Sequence, residues 1–121
     1  MEKVSVVVIT FNEEKNIERC LESIRWADEI VVVDTFSTDR TVEICRRFTD
    51  RVFQESWRGY GPQKNLCASK ANNRWVLNVD ADEVISPECA EAIRDVLASE
   101  LVHPVYRFPR KNFFGNRWIR Y

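Results

Sequence analysis

Trp75-Val76-Leu77-Asn78-Val79-Asp80-Ala81-Asp82-Glu83 is the stretch that decides the fold, because an apolar run here ends in three acids. The apolar part predicts a buried strand ending at Asp80, and ligands of open α/β sheets bind just beyond the carboxyl ends of the strands. Side chains at i and i+2 of an extended segment point the same way, so we expect Asp80 and Asp82 to converge. Two such carboxylates suit a divalent cation, Mn²⁺ or Mg²⁺, that substrate phosphates share. A solvated turn after a strand is the alternative, which a D-x-D alone does not exclude.

Apolar strands alternate with amphipathic helices along the rest of the chain. Apolar runs predict strands over 4–9, 30–33, 52–53, 75–80 and 105–108. Helices are predicted over 13–25, 38–48, 62–70 and 87–101. This order predicts an α/β fold with a mainly parallel, Rossmann-like sheet, right-handed crossovers and helices on both faces.

Local signals place the starts of the four helices. Asn12 is the predicted N-cap of the first helix, and Ser37 or Thr38 that of the second. Pro62 stands where a helix accepts its first residue, after a loop with two glycines and two aromatics. The pair Ser86-Pro87 is the clearest start signal, an N-cap followed by proline at the first helical position.

Composition indicates one globular domain. The chain has 121 residues, of which 45% are hydrophobic and 31% charged. It contains no apolar run of about 20 residues, and its first residues read as a strand rather than a signal peptide, so we expect a cytoplasmic protein. The four cysteines are more than 20 positions apart without C-x-x-C pairs, which favours reduced, buried thiols over zinc or disulfides.

Positive charge is concentrated in the last 21 residues. Positions 101–121 carry five bases and no acid, interleaved with aromatic residues, whereas positions 1–100 carry all 19 acids and 13 bases. Such a mixture is compatible with contact with an anionic membrane surface, nucleic acid or a phosphorylated acceptor. The alternative is a strand and loop that pack against further sequence of a longer protein.

Three predicted strands end in polar residues at one edge of the sheet, over 10–13, 34–39 and 80–83. This position favours a nucleotide ligand, yet the chain has neither the G-x-G-x-x-G fingerprint after its first strand nor a G-K-[ST] loop. Without backbone amides to hold a diphosphate, a cation bound by Asp80 and Asp82 has to neutralise it.

Four stretches in this order resemble family 2 glycosyltransferases of the GT-A fold. They are VVVITFNEE (6–14), VVVDTFSTDRT (31–41), QKN (63–65) and LNVDADE (77–83). The final stretch YRFPRKNFFG (106–115) further resembles the bacterial subgroup that adds a sugar to lipopolysaccharide core or a similar cell-surface glycan. The resemblance spans essentially the whole chain and implies an inverting, metal-dependent transfer from a nucleotide sugar.

The resemblance also implies roles for individual residues. The nucleotide-binding residues would be Thr10, Phe11, Asn12, Glu13, Asp34, Thr35, Lys64 and Asp80. Phe11 would offer an apolar face to the base, and Lys64 would approach the base or the diphosphate. Asp80 and Asp82 would hold the metal, and Glu83 would support them or stay exposed. Residues 1–121 would then form a single nucleotide-sugar-binding domain without its acceptor-binding half, and no catalytic base can be matched.

Two departures from the family pattern affect the second strand end. Thr35 stands where a second acid is frequent, and Phe36 where a glycine is frequent, although phenylalanine adopts positive φ only at a cost. Nucleotide preference is therefore open, with a UDP-sugar favoured as donor. The expected acceptor is a glycan or glycolipid, and no nucleic acid is expected as partner. Peripheral contact with the inner face of the membrane and self-association are left open.

Two other function classes compete with a glycosyltransferase. A nucleotidyltransferase would need a first loop rich in glycine and basic residues, and the stretch 10–13 has neither. A non-catalytic nucleotide-binding or assembly module is the stronger rival, because a half-domain can bind nucleotide without turnover. We accordingly expect weak or no transfer by the 121 residues alone.

Overall fold

The computed structural model of the chain describes residues 2–99, 105–109 and 116–120. The strands are β1 Val4–Thr10, β2 Glu29–Asp34, β3 Val52–Gln54, β4 Trp75–Asn78, β5 Val105–Pro109 and β6 Asn116–Arg120. The helices are α1 Ile17–Glu22, α2 Thr41–Cys45, α3 Tyr60–Ser69 and α4 Pro87–Ala98. Strands and helices alternate as far as β5, as the sequence predicts.

One six-stranded sheet has the order β3-β2-β1-β4-β6-β5. The first four strands are parallel, with Thr10 of β1 beside Asp34 of β2 and Val4 of β1 beside Trp75 of β4. Strand β6 pairs antiparallel with both β4 and β5. The α/β class and the mainly parallel sheet are confirmed, and the parallel pairing brings the ends of β1, β2 and β4 to one edge.

Helices cover both faces of the sheet. On one face, residues of α1, α2 and α4 pack against alternate residues of β1, β2 and β4, with Leu21, Leu77 and Ile93 wholly buried among them. On the other face, Cys67 of α3 packs with Val7 and Val31. Apolar side chains on both faces explain why these strands read as unbroken runs in the sequence.

The first two helices are shorter than predicted, and their caps are different. Helix α1 begins at Ile17, because the predicted cap, Asn12, accepts a hydrogen bond from the Thr38 N–H instead. After Glu22 the chain continues in turns with i to i−3 hydrogen bonds. Helix α2 begins at Thr41 after Arg40, and neither Ser37 nor Thr38 caps it. Helix α3 begins at Tyr60, so Pro62 lies within its first turn.

The predicted start of α4 is confirmed, whereas the helix ends at Ala98 rather than at 101. Ser86 is the N-cap, its Oγ accepts a hydrogen bond from the Cys89 N–H at 3.1 Å, and Pro87 is the first helical residue. Ile93 and Leu97 are buried as expected, whereas Leu101 lies outside the described residues. Among the described helices, none is both long and apolar enough to cross a bilayer.

Strand β6 is a feature that the sequence analysis missed. The α4 crossover leaves a gap beside β4, and β6 fills it antiparallel while pairing with the predicted strand β5. The described backbone thus assigns part of the basic and aromatic stretch to a strand hairpin. The contacts predicted for residues 101–121, with a membrane surface, nucleic acid or a phosphorylated acceptor, depend on side chains that lie outside the described part of the structure.

Candidate functional site

A cleft of about 850 Å³ opens at the carboxyl edge of β1, β2 and β4. This volume lies within the range of small-molecule sites, roughly 300–1,000 Å³. The cleft is lined by Ile9, Thr10, Phe11, Glu13, Thr35, Trp57, Tyr60, Lys64, Asp80, Ala81 and Asp82. Three carboxylates and one ammonium group are among these side chains, so the lining favours a cation.

Most residues predicted for the site line this cleft. The structure brings together Thr10, Phe11, Glu13, Thr35, Lys64, Asp80 and Asp82. Phe11 is 57% exposed, as an apolar face for a ring requires. Asn12 and Asp34 are outside the lining and lie in the loop framework behind it, so their direct contact with a nucleoside stays a prediction.

Asp34, at the end of β2, is wholly buried and joins two loops. One carboxylate oxygen accepts hydrogen bonds from Thr10 Oγ1 at 2.7 Å and from Ser37 Oγ at 2.5 Å. The other accepts from the Ser37 N–H at 2.8 Å and from Gln54 Nε2 at 3.4 Å. Donors from three segments therefore satisfy the buried charge, which fixes the ends of β1 and β2 relative to each other.

Asn12 connects the loop after β1 to the loop after β2. Its N–H donates to Ser37 Oγ and its Oδ1 accepts from the Thr38 N–H, both at 2.8 Å. Its φ of 50° is in the left-handed region, which asparagine tolerates better than most residues. Phe36 has a φ of 51° although no such tolerance applies to it, and its side chain is exposed. The turn thus has a positive φ that glycine would adopt without this cost.

Asp39 and Thr41 add a second connection between these loops. The Thr41 hydroxyl accepts from the Glu13 N–H at 2.8 Å, and Asp39 Oδ2 accepts from the Glu14 N–H at 3.2 Å. Partial burial opposes ionisation of Asp39, but hydrogen bonds from the Thr41 hydroxyl and N–H outweigh it and hold the pKa of that carboxyl below its usual value. The loop that carries Phe11 and Glu13 is therefore held in place by several hydrogen bonds.

The D-x-D segment forms a turn rather than the end of a strand. Strand β4 stops at Asn78, the Glu83 N–H donates to the Asp80 carbonyl at 2.9 Å, and Glu83 Oε1 accepts from the Asp80 N–H at 2.8 Å. Buried Ala81 anchors this turn. The i, i+2 argument from an extended chain was wrong for this segment, yet the turn still places Asp80 and Asp82 in one cleft.

The sequence left two roles open for Glu83, a supporting acid or an exposed one. The structure shows it supporting the turn, because its carboxylate accepts a hydrogen bond from the Asp80 N–H. In the described part of the chain no group of three or more His, Cys, Asp or Glu side chains is arranged to hold a metal. Asp80 and Asp82 nevertheless supply the oxygen ligands that Mg²⁺ and Mn²⁺ accept, and such ions are commonly held by one or two carboxylates plus phosphate oxygens.

Trp57 and Tyr60 line the cleft although sequence reasoning assigned them only to a loop. Their rings meet edge to face with centroids 4.9 Å apart, and they are 50% and 72% exposed. The signal in the sequence that could have identified them as site residues is the presence of two large aromatic residues beside two glycines. Gln63 was predicted to belong to the motif 63–65 without a role of its own. It is wholly buried and forms hydrogen bonds with the Arg58 N–H and with Thr35.

Sequence relatives of this chain are glycosyltransferases. A glycosyltransferase of Rickettsia typhi is 43% identical over 100 residues, which cover 82% of this chain and 34% of the relative. The lipopolysaccharide core biosynthesis glycosyltransferase LpsC of Rhizobium meliloti is 35% identical over 101 residues, covering 79% of this chain and 37% of the relative. The chain thus spans about a third of the length of the curated relatives it matches.

Solved structures of the same fold contain sugar nucleotides. TarS 1–349 of S. aureus in complex with UDP-GlcNAc has a TM-score of 0.74 and 30% identity, over 93% of this chain and 36% of that one. The mannosyltransferase PcManGT of Pyrobaculum calidifontis in complex with GDP-Man and Mn²⁺ has a TM-score of 0.75 and 26% identity, over 93% and 37%. The model of Glycosyl transferase family 2 matches residues 5–121. With this sequence match and the GT-A-like sheet, the chain belongs to glycosyl transferase family 2.

Proposed function

We propose that this chain forms the donor site of a glycosyltransferase, which binds a nucleotide sugar, a UDP-sugar in the first instance, together with Mn²⁺ or Mg²⁺. The observation that carries the proposal is the convergence of Thr10, Thr35 and Asp80, from three parallel strand ends, on one cleft. The UDP-GlcNAc complex of TarS and the GDP-Man and Mn²⁺ complex of PcManGT support the ligand class.

Asp80 and Asp82 are the residues that would hold the cation. Asp82 is exposed at the cleft, so its carboxylate can bind an ion without losing an internal contact of the core. When bound, the cation supplies charge neutralisation to the diphosphate leaving group. Lys64, at the start of α3, adds a positive charge on the same cleft, and Phe11 provides an apolar surface.

The proposed acceptor is a lipopolysaccharide-type or related cell-surface glycan. The support is the likeness of residues 106–115 to that subgroup and the 35% identity to LpsC of Rhizobium meliloti. Because the chain matches about a third of its curated relatives, the proposal for residues 1–121 is confined to donor binding. The acceptor site and the general base of the inverting reaction are assigned to the remaining length of such proteins.

Calorimetric titration of the 121-residue chain with UDP, UDP-GlcNAc and GDP-mannose, with and without Mn²⁺, tests the donor site. We expect binding that requires Mn²⁺, and Asp82→Asn should weaken it at least as much as loss of a supporting metal contact does, roughly 10- to 100-fold. Asp95→Asn, at an exposed position of α4, is the matched control and should bind as the wild type does.

Three outcomes contradict the proposal. Nucleotide binding that needs no metal and is unchanged in Asp82→Asn would refute the role of the carboxylate pair. Failure of the chain to bind any of the three nucleotides would refute the donor site itself. Sugar transfer by the 121 residues at rates typical of whole enzymes would contradict the restriction to donor binding.

A further inference from the structure

The loop between β3 and α3 carries the exposed ring of Trp57, and the first residue of α3 is the exposed Tyr60. Trp57 and Tyr60 line the same cleft as Asp80 and Asp82, and they contact each other edge to face. Large aromatic side chains left this exposed in a concave surface typically bind a ring or an apolar face of a ligand.

The sheet order separates the points at which the aromatic and the acidic segments leave the sheet. The Glu55 N–H still pairs with the Asp34 carbonyl at 2.9 Å, so the loop leaves the sheet beside β2, on the β3 side. Asp80 and Asp82 follow β4, which lies on the far side of β1. Strands β3 and β4 are three strand spacings apart, about 14 Å at about 4.8 Å per strand.

A nucleoside diphosphate has its charge at one end and its aromatic base at the other. If the carboxylates and their cation take the diphosphate beside β4, the base lies toward the end of β2, to which Gln63 joins the segment that carries the aromatic rings. We propose that Trp57 and Tyr60 form the nucleobase-stacking wall of the cleft and that Gln63 is the positioning residue that holds this wall. The inference rests on the proposed function of the same cleft as a donor site.

Gln63 has the contacts that such a positioning role requires. Its side chain is wholly buried, its Oε1 accepts from the Arg58 N–H at 3.2 Å, and its Nε2 donates to Thr35 Oγ1 at 3.3 Å. One amide therefore joins the aromatic loop, between Trp57 and Tyr60, to the end of β2. Gly59 has a φ of 97°, so this loop takes a turn that side-chain-bearing residues rarely adopt.

Binding of UDP with Mn²⁺, measured beside binding of inorganic pyrophosphate with Mn²⁺, tests the wall. Stacking of a base on an aromatic side chain corresponds to a loss of roughly 5- to 150-fold in affinity on substitution by alanine. We expect Trp57→Ala and Tyr60→Ala to lose UDP affinity in this range and to keep pyrophosphate affinity. Trp57→Phe, which retains a ring, should recover most of the loss.

Gln63→Leu tests the positioning role, because leucine is of similar size and makes neither hydrogen bond. We expect its UDP affinity to fall relative to its pyrophosphate affinity. General loss of stability would lower both affinities together, so the ratio separates a positioning role from a structural one. A thermal unfolding curve of the variant, recorded in parallel, identifies the temperature range in which it is folded.

The outcomes separate failure of this inference from failure of the donor site. If the wild type binds UDP with Mn²⁺ but the alanine variants bind it equally well, the wall is refuted and the donor site stands. If those variants lose UDP-GlcNAc but not UDP, the rings contact the sugar rather than the base, which also refutes the inference. If the wild type binds no nucleotide, both proposals are refuted.

Discussion

Substitution of Asp34 separates a residue that supports the cleft from one that touches the ligand. Its carboxylate is wholly buried, and three of its hydrogen bonds, from Thr10 and Ser37, are 2.8 Å or shorter. A hydrogen bond to a charged acceptor contributes about 1.5–3 kcal/mol and a neutral one about 0.5–1.5 kcal/mol. Asparagine keeps one acceptor oxygen and replaces the other by an NH₂ donor. With that oxygen in the place of the one facing Thr10, Asp34→Asn weakens the two hydroxyl bonds by roughly 1 kcal/mol each and removes the bond from the Ser37 N–H, a loss that the removal of a buried charge partly offsets.

We expect Asp34→Asn to lower the free energy of unfolding by about 2 kcal/mol, and Asp34→Ala, which leaves buried donors without an acceptor, by about 4 kcal/mol. Urea unfolding followed by far-ultraviolet circular dichroism measures both values. Asp95→Asn on the exposed face of α4 is the control and should stay within about 0.5 kcal/mol of the wild type.

The opposite result has a clear meaning for the nucleotide site. If Asp34→Asn unfolds at the same urea concentration as the wild type yet loses UDP binding, then Asp34 contacts the nucleoside directly, as the family resemblance implies. Asp34 would then not be confined to a supporting role by its burial. If stability and binding both fall, titration below the unfolding transition shows whether the remaining folded protein still binds UDP.

Three further predictions concern the turn after β2, the opposite edge of the sheet and the buried thiols. Phe36→Gly should raise the free energy of unfolding, measured in urea, by up to about 1 kcal/mol. Glycine adopts the positive φ at this position without strain, and loss of the exposed ring removes little packing. Phe36→Ala, which keeps the strain, should show no such gain. Burial opposes ionisation of Glu29, but hydrogen bonds from Asn72 and Ser5 hold its pKa below the ordinary 4.5. Its contribution to stability is therefore present above that pH and is lost as pH falls through the lowered pKa, so the stability difference between wild type and Glu29→Gln should shrink as acid-titrated unfolding curves pass below pH 4.5. Burial raises the pKa of Cys45 and of Cys67 to about 12. Neither thiol should therefore react with a disulfide reagent near pH 8 until urea unfolds the chain. Rapid labelling of either thiol in the native protein would contradict their burial.

Local patterns in the sequence were sufficient for the sheet and for most of the cleft. Unbroken apolar runs predicted β1 and β2 because both faces of a parallel sheet are buried, and Ser86-Pro87 predicted the start of α4 because an N-cap acts on residues two or three positions away. Acids after β4 were placed at the cleft correctly, since strand ends of a parallel sheet share one edge.

Contacts between residues distant in sequence were decided only by the tertiary structure. Asparagine is a common helix N-cap, but the Asn12 side chain accepts a hydrogen bond from the Thr38 N–H, 26 positions away. Helix α1 therefore starts later, at Ile17. Gln63 pairs with Thr35 across 28 positions, and β6 enters the sheet beside β4 because a gap remains there. The pattern of residues along the chain indicates which side chains are buried and which turns the backbone can form locally. The hydrogen-bond partner of a buried polar group, in contrast, depends on how the whole sheet is assembled. The sequence alone therefore determined the edge at which Asp80 and Asp82 lie, and the packing of the loops determined which residues line the cleft there and which hold the others in place.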